Sequence, residues 1–207
     1  MCYNTIMETL EMLTILRQRL FSLEHAEAQV DVIEGSLPQA RKAAVLLPLF
    51  EQDGEVSLAF IRRAATLRSH SGEIAFPGGS VDPTDTSPVM TALREAQEEI
   101  GLDPARVEVL GVLSPVFTVV SNFLITPVVA FLPHGLGTLH LQTSEVQEML
   151  FAPLQALNNP AILHTERWMR DNRTRLVYFY DYGPYRIWGA TGRMLNQFLQ
   201  TLYGAPE

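Results

Sequence analysis

The chain has 207 residues, of which 47% are hydrophobic and 18% are charged, and its formal net charge is −8. This composition is that of a folded protein and excludes a largely disordered chain. The acidic balance argues against nucleic acid or an anionic membrane surface as the main partner, because both carry negative charge.

The length suits one domain with a substantial core. We predict a single domain over residues 1–207, made of an N-terminal helical extension (1–40) and a core (41–207). One cysteine, Cys2, excludes an internal disulfide and indicates a reducing compartment. The chain carries no signal-peptide pattern and no apolar run long enough to span a bilayer. The expected location is therefore the cytoplasm, while the choice between monomer and homodimer stays open.

The first half of the chain predicts a helix followed by a β-hairpin. Residues 7–27 carry leucines at every third or fourth position, a spacing typical of an amphipathic helix. Two apolar runs, at 43–50 and 56–61, flank the turn signal Gln52-Asp53-Gly54. This arrangement predicts two antiparallel strands joined by a tight turn.

The second half predicts more strands and two helices. Ser87 can cap a helix that begins at Pro88 and ends at Ile100, where Gly101 supplies the stop. Further strands are predicted at 107–113, 125–132, 176–182 and 185–188, and a last helix at 191–203. Helices and strands interleave without strict alternation, which predicts an α/β (mixed α+β) fold with a mixed β-sheet between helices.

The predicted helix after Ser87 carries three carboxylates on one face. Glu95, Glu98 and Glu99 are spaced i, i+3 and i+4, and Arg94 precedes them. Such a face is often simply solvated when it occurs alone. Like charges so close weaken an isolated helix, however, so a cation among them makes physical sense. A divalent ion, which prefers oxygen ligands, is the natural candidate, with Glu95 and Glu99 as the best pair of direct ligands.

The helix and the glycine corner before it resemble a known family. The pattern Gly79…Arg94-Glu95-Ala96-Gln97-Glu98-Glu99-Ile100-Gly101-Leu102 is similar to the Nudix box, the metal-binding loop and helix of Nudix hydrolases. Segments outside the box resemble the coenzyme A pyrophosphatase subgroup: Arg63-Ala64, Arg68, Gly72, Phe76-Pro77-Gly78-Gly79, Thr126-Pro127-Val128-Val129 and Ile187-Trp188-Gly189-Ala190-Thr191. The resemblance runs from about residue 43 to the C-terminus.

The loop between the glycines and the helix departs from the commonest Nudix box. That box has a glutamate six residues after the glycine and eight before the arginine. Here Asp85 lies six residues after Gly79 and nine before Arg94. The coenzyme A subgroup shares this longer loop with its aspartate, so the departure favours the subgroup.

The resemblance implies a Nudix fold and hydrolysis of a nucleoside diphosphate derivative with Mg²⁺ or Mn²⁺. It implies that the three glutamates hold the metal and that Arg94 supports them and the glycine loop. Within the subgroup the substrate is coenzyme A or an acyl derivative, which is cleaved to 3′,5′-ADP and 4′-phosphopantetheine. The substrate-binding residues would then be Arg63, Arg68, Gly78 and Gly79, with the arginines suited to a phosphate.

Several alternatives remain open at this point. The general base is Glu98, Glu145 or Glu148. The substrate of a Nudix hydrolase can instead be ADP-ribose or a dinucleotide, and the fold can serve a non-catalytic coenzyme A sensor. The arginines near residue 63 can be ordinary surface charges. A later basic cluster is most simply the surface of a polar hairpin or loop: Arg167, Arg170, Arg173 and Arg175.

Overall fold

The computed structural model describes residues 2–22, 24, 39–66, 70–170 and 173–204, with the backbone alone for residues 2–7, 170 and 173. Within these residues the helices are α1 (Cys2–Arg19), α2 (Pro88–Ile100), α3 (Leu154–Leu157) and α4 (Gly189–Tyr203). The strands are β1 (Arg41–Gln52), β2 (Glu55–Arg63), β3 (Ile74–Ala75), β4 (Gly78–Ser80), β5 (Glu108–Val112), β6 (Val116–Thr118), β7 (Phe123–Leu132), β8 (Val146–Pro153), β9 (Leu163–Arg170), β10 (Arg173–Tyr182) and β11 (Tyr185–Trp188).

A mixed sheet forms the centre of the fold. Its main path is β3-β2-β1-β7-β5, with β4 paired to β1, β6 to β7 and β8 to β2. The strands β1 and β2 form the predicted antiparallel hairpin, and β1 pairs in parallel with β7. A second, antiparallel sheet has the order β11-β10-β9. The predicted mixed sheet is therefore confirmed.

The side chains of β1 alternate between two apolar layers, as the two-residue period of a strand requires. Leu47 lies in the layer that contains Leu16 of α1 and Phe198 of α4. Leu46 lies in the other layer, with Ala96 of α2. All five side chains are fully buried. The sheet thus lies between helices on both faces, as the sequence predicts.

The helix α2 has the bounds that the sequence predicts, because both of its ends carry local signals. Ser87 accepts a hydrogen bond from Met90 N at 3.2 Å, and Pro88 occupies the first turn. Gly101 ends the helix with a φ of 70°, a left-handed conformation that favours glycine, and donates to Gln97 O at 2.9 Å.

The helix α1 differs from its predicted bounds of 7–27. It begins at Cys2 and ends at Arg19. Phe21 leaves the helical path and forms a β-bridge with Val112, in which Phe21 N donates to Val112 O at 3.0 Å and Val112 N donates to Phe21 O at 3.1 Å. A tertiary pairing therefore ends the amphipathic pattern early. Residues 25–27 lie outside the described residues.

Five strands escape the sequence prediction: β3, β4, β6, β8 and β9. The first three are only two or three residues long, and the other two mix polar and apolar residues without a clear period. The basic cluster lies on the β9–β10 hairpin, where Arg170 opposes Arg173 and Arg167 opposes Leu176. This confirms that the cluster belongs to a hairpin. None of the described helices is both long enough and apolar enough to cross a membrane.

Ala96→Leu tests how closely α2 packs on the sheet. Ala96 is fully buried, so the added atoms have no space, and we expect the free energy of unfolding to fall by about 2 kcal/mol. Urea denaturation measures this as a lower midpoint at an unchanged slope. Gln97→Leu, at the exposed neighbouring position, is the control and should leave the midpoint nearly unchanged. Equal shifts in both variants would contradict the packing.

Candidate active site

The glycine corner is fixed on the central strand of the sheet. Strand β4, which contains both glycines, pairs with residues 43–45 of β1, and Leu46 N donates to Pro77 O at 2.8 Å. Gly78 has a φ of 152°, and a Cβ there would lie 2.3 Å from Ala44 O. No side chain fits in that space. The corner therefore needs glycine at position 78 for both conformation and room.

Gly79 makes room for a carboxylate of the catalytic helix candidate, α2. A Cβ at this position would lie 2.5 Å from Glu95 Cδ and 2.6 Å from Glu95 Oε1. The Glu95 side chain is 17% exposed, and burial raises its pKa, although the hydrogen bond from Arg94 opposes this. Gly79 and the carboxylate of Glu95 on α2 are thus in direct contact.

Glu99 is the most buried carboxylate of α2, with 2% of its surface exposed. Its Oε2 accepts a hydrogen bond from Gly78 N at 2.9 Å, and Arg63 Nη1 lies 4.0 Å from its Oε1. Burial raises the pKa of Glu99 from 4.5 to about 7. The Gly78 hydrogen bond and Arg63 oppose this increase in pKa, while the negative charges of Glu95 and Glu145 add to it.

Arg94 joins α2 to the loop before it. Its Nε and Nη2 donate to the two carboxylate oxygens of Asp85 at 3.1 and 2.9 Å, and Nη2 also donates to Ser80 O at 3.0 Å. The Asp85 side chain is fully buried, and its oxygen Oδ2 accepts a further bond from Thr91 at 2.9 Å. The hydrogen bonds from Arg94 lower the pKa of Asp85 to about 2, against the effect of its burial.

Asp85 is a site residue to which sequence reasoning assigned no function of its own. Its position nine residues before Arg94 was the available signal. Spacing along a loop does not reveal which side chain it meets, so the bidentate pair with Arg94 becomes visible only in the fold. Arg94 also reaches the last residue of the glycine strand, where it donates to Ser80 O, and its supporting role in the site stays a prediction.

The three glutamates share one helix face but do not surround one point. Glu98 is exposed over 59% of its side chain and pairs with Arg94 Nη1 at 3.2 Å, the same nitrogen that donates to Glu95 at 3.0 Å. Glu99 faces Gly78 and Arg63 instead. Within the ranges described above, no three His, Cys, Asp or Glu side chains are gathered as a ready-made cation site.

The remaining predicted residues lie on and beside strand β2. Arg62 donates to Glu148 at 3.0 Å and to Gly72 O at 3.3 Å, and its Cα opposes that of Glu148 in the β2–β8 ladder. Glu145 is exposed and accepts from Ala64 N through its backbone carbonyl at 2.8 Å. Its negative charge raises the pKa values of Glu95 and Glu99, so it lies on their side of the site. Arg68 lies outside the described residues.

Comparison with known proteins decides the family. A model described as the NUDIX domain matches residues 40–171 of the chain. The chain belongs to the Nudix hydrolase family. The "Uncharacterized Nudix hydrolase NudL" of Photorhabdus laumondii subsp. laumondii is 42% identical over 160 residues, which are 77% of this chain and 84% of that protein. The protein of the same name from Pectobacterium atrosepticum is 40% identical over 171 residues, 81% of this chain and 86% of that protein.

Solved structures show a partial likeness to this Nudix hydrolase. A Nudix hydrolase from M. smegmatis, RenU, has a TM-score of 0.42 and 24% identity, over 56% of this chain and 72% of that one. An Ap4A hydrolase of C. elegans in a binary complex has a TM-score of 0.47 and 20% identity, over 55% of this chain and 80% of that one. The family match over residues 40–171, and not these partial likenesses, makes the chain an enzyme of a family that acts on nucleoside diphosphate derivatives and generally uses Mg²⁺ or Mn²⁺.

The residues of the site fit such a cation. Carboxylate oxygens are the donors that Mg²⁺ and Mn²⁺ prefer, and two of them come from adjacent turns of one helix, at Glu95 and Glu99. The buried carboxylate of Glu99 has one backbone hydrogen bond and a guanidinium at 4.0 Å as its compensation. A buried anion with so little compensation is stabilised by a nearby cation.

Asp85→Asn tests the pair between the loop and α2. The substitution removes one of the three carboxylates that pair with Arg94 and breaks its two-fold contact, so we expect a loss of about 2 kcal/mol in the free energy of unfolding at pH 7. Asp82→Asn makes the same change in the same loop, at an exposed carboxylate that binds Thr84. The control should lose much less stability. Similar losses in both variants would show that the contact between Asp85 and Arg94 contributes nothing specific to the free energy of unfolding.

Glu99→Gln tests the cost of the buried carboxylate in metal-free protein. Because the folded-state pKa of about 7 lies above the ordinary 4.5, the folded state binds more protons between these values. The wild type therefore loses stability as the pH rises from about 4.5 to about 7, by up to about 3 kcal/mol. Glutamine is neutral, and its amide oxygen still accepts from Gly78 N–H.

In the presence of a chelator, Glu99→Gln should be more stable than the wild type at pH 8, and the advantage should vanish toward pH 4.5. Thermal or urea denaturation across this pH range measures the difference. Glu98→Gln, at the exposed carboxylate of the same helix, is the matched control. A wild type that is equal to or more stable than Glu99→Gln at pH 8 would contradict the burial of an ionised carboxylate.

Proposed function

We propose that this Nudix hydrolase cleaves the diphosphate of coenzyme A or its acyl derivatives, giving 3′,5′-ADP and 4′-phosphopantetheine, with Mg²⁺ or Mn²⁺. The observation that carries the reaction class is the buried carboxylate of Glu99 bound to Gly78 N–H, with Glu95 against Gly79. The acidic face of α2 therefore lies against Gly78 and Gly79, where no side chain covers the backbone. A diphosphate can approach such a corner closely.

The acidic residues of α2 would hold the metal in this proposal: Glu95 and Glu99 directly, with Glu98 at the exposed edge. When bound, the cation neutralises charge on the diphosphate oxygens and lowers the pKa of a bound water. Arg94 keeps the glutamates and the glycine loop in register through its bonds to Asp85 and Ser80. It therefore acts as a positioning residue, since all three nitrogens of its guanidinium donate to protein acceptors.

The coenzyme A assignment rests on the residues that resemble the subgroup. Arg63 and Arg68 would meet the anionic end of the substrate, whose adenosine 3′-phosphate needs a cationic partner. The longer loop with Asp85 supports the same subgroup. The NudL relatives are identical to this chain at about two fifths of the aligned positions, and their name states no substrate.

The general base lies among three acidic residues, and the contacts favour Glu145. Glu98 pairs with Arg94 and Glu148 pairs with Arg62, so each of these carboxylates already has an arginine partner. Glu145 is exposed, and its charge acts on both Glu95 and Glu99. Glu148 stays a candidate because its strand lies directly beside β2. Rates of glutamine variants at 98, 145 and 148 distinguish the three.

Two other functions remain as outcomes of the tests. One is hydrolysis of another nucleoside diphosphate derivative, such as ADP-ribose or a dinucleotide, by the same carboxylates. The other is a coenzyme A sensor without turnover, for which a retained set of acidic residues on α2 has no evident use. The proposed reaction uses a metabolite of the cytoplasm, which is the compartment we assign to the chain.

Product analysis tests the reaction and the substrate together. Purified protein is incubated with coenzyme A or ADP-ribose and Mg²⁺ or Mn²⁺, and the products are separated by chromatography. We expect 3′,5′-ADP and 4′-phosphopantetheine to form faster than any product of ADP-ribose, and Glu99→Gln to lower the rate at least about a hundredfold, because a charged ligand is lost. Faster cleavage of ADP-ribose would reject the substrate. Binding of coenzyme A without products would favour the sensor.

Arg68→Ala tests the recognition of the 3′-phosphate. We expect kcat/KM to fall about tenfold or more with coenzyme A and much less with dephospho-coenzyme A, because only the former carries the phosphate that the arginine would bind. Arg62→Ala is the matched control, since Arg62 pairs with Glu148. Equal losses with the two substrates would show that Arg68 does not read this phosphate.

A further inference from the structure

Two neighbouring arginines of strand β2 have different surroundings. Successive side chains of a strand point to opposite faces, and a register shift between Arg62 and Arg63 marks this end of the β2–β8 ladder. Arg62 has acceptors at hydrogen-bond distance, Glu148 at 3.0 Å and Gly72 O at 3.3 Å. Arg63 points toward α2 instead, where its nearest carboxylate is Glu99.

The contact between Arg63 and Glu99 is electrostatic without being a hydrogen bond. Arg63 Nη1 and Glu99 Oε1 are 4.0 Å apart, which is beyond hydrogen-bond distance. The Nε of Arg63 is buried and has no hydrogen-bond partner among the described residues. A buried donor left in this state costs free energy. The guanidinium is therefore attracted to the carboxylate by charge, while its Nε donor has no acceptor among the described residues.

Arg94 shows what a permanent arginine–carboxylate pair looks like in the same site. Its guanidinium makes two bonds to Asp85, at 3.1 and 2.9 Å, and a third to Ser80 O. Such a fork fixes the side chain. Arg63 has no comparable fork with Glu99, although its backbone is anchored, with Arg63 N donating to Glu73 O at 3.0 Å and Gly72 N donating to Arg63 O at 3.0 Å. The backbone is fixed, and the side chain is loosely bound.

We infer that Arg63 is a displaceable counter-ion, which occupies Glu99 in the metal-free enzyme and is released to the anionic substrate when a divalent cation takes its place. This inference rests on the metal-dependent function proposed above. A divalent cation bound by the Glu99 carboxylate places two positive charges next to the guanidinium. The cation repels Arg63, so the attraction between Arg63 and Glu99 weakens when the cation binds. The released guanidinium remains close to α2 and the glycine corner, where it can donate two hydrogen bonds to a phosphate.

Removing the charge at position 63 should change the affinity for the divalent cation and the affinity for the anion in opposite directions. Without Arg63 the cation no longer competes for Glu99, so it binds more tightly. The anion loses a partner, so it binds more weakly. A residue that merely shapes the site would weaken both, and a substrate-binding arginine without contact to Glu99 would leave the cation unaffected.

Isothermal titration of the full chain with Mn²⁺ alone provides the first readout. We expect Arg63→Gln to lower the Kd for Mn²⁺ about fivefold, and Arg63→Lys, which keeps the charge, to stay within about twofold of the wild type. Arg62→Gln is the matched control, because its partner is Glu148, and it should also stay within about twofold. An unchanged or higher Kd in Arg63→Gln would overturn the inference.

The second readout is the affinity for methylenediphosphonate, a diphosphate analogue that is not hydrolysed, at a saturating concentration of Mn²⁺. We expect Arg63→Gln to bind it about fivefold or more weakly, while Arg62→Gln stays close to the wild type. Unchanged affinity for the analogue in Arg63→Gln would overturn the release to substrate. Failure of the wild type to bind Mn²⁺ at all would reject the proposed function and this inference with it, whereas equal Kd values in wild type and Arg63→Gln reject only the inference.

Discussion

The site depends on one close fit, between the glycine corner and the acidic face of α2. A side chain at position 78 would collide with the backbone at Ala44 O, and one at position 79 would force the Glu95 side chain to shift. With glycine at both positions, the corner lies close enough to α2 for Gly78 N–H to reach the buried carboxylate of Glu99 at 2.9 Å. The corner itself is seated on β1, the strand that carries both apolar layers. Core packing thus fixes the position of the charged groups to within hydrogen-bond distance.

The charges of the site are balanced in two different ways. Arg94 and Asp85 form a two-fold hydrogen-bonded pair, and these bonds offset the cost of taking the Asp85 carboxylate out of water. Glu99 is buried with less compensation, which raises its pKa to about 7. The first pair serves architecture because it joins loop to helix. The second carboxylate is costly to bury in the absence of a cation, and sites of this kind are typically functional.

Local signals explain which parts of the fold the sequence could predict. The bounds of α2 follow from Ser87, Pro88 and Gly101, each of which acts within a turn of its own position. The early end of α1 at Arg19 follows from the bridge between Phe21 and Val112, a contact far apart in the chain. Strand β9 is held by its hairpin partner β10, and its own residues show no clear two-residue period. Pairing with another segment, whether near or far in the chain, is what propensity and periodicity do not contain.

The same division applies to the candidate site. Helical spacing predicts that Glu95, Glu98 and Glu99 share a face, and they do. The pairing of arginines with glutamates was not predictable from the sequence. Arg62 and Arg63 are adjacent in the chain, yet Arg62 pairs with Glu148 and Arg63 lies near Glu99. The role of Asp85 was hidden for the same reason. The roles assigned to these residues in catalysis, and Arg68 among them, remain proposals.

We propose that α2 and the glycine corner form a divalent-cation site for diphosphate hydrolysis. The anomalous difference map of a crystal grown with Mn²⁺ tests this site directly. We expect a peak about 2 to 2.5 Å from carboxylate oxygens of Glu95 and Glu99. A well-ordered α2 with no peak there, or with Mn²⁺ bound only elsewhere on the protein, would contradict it.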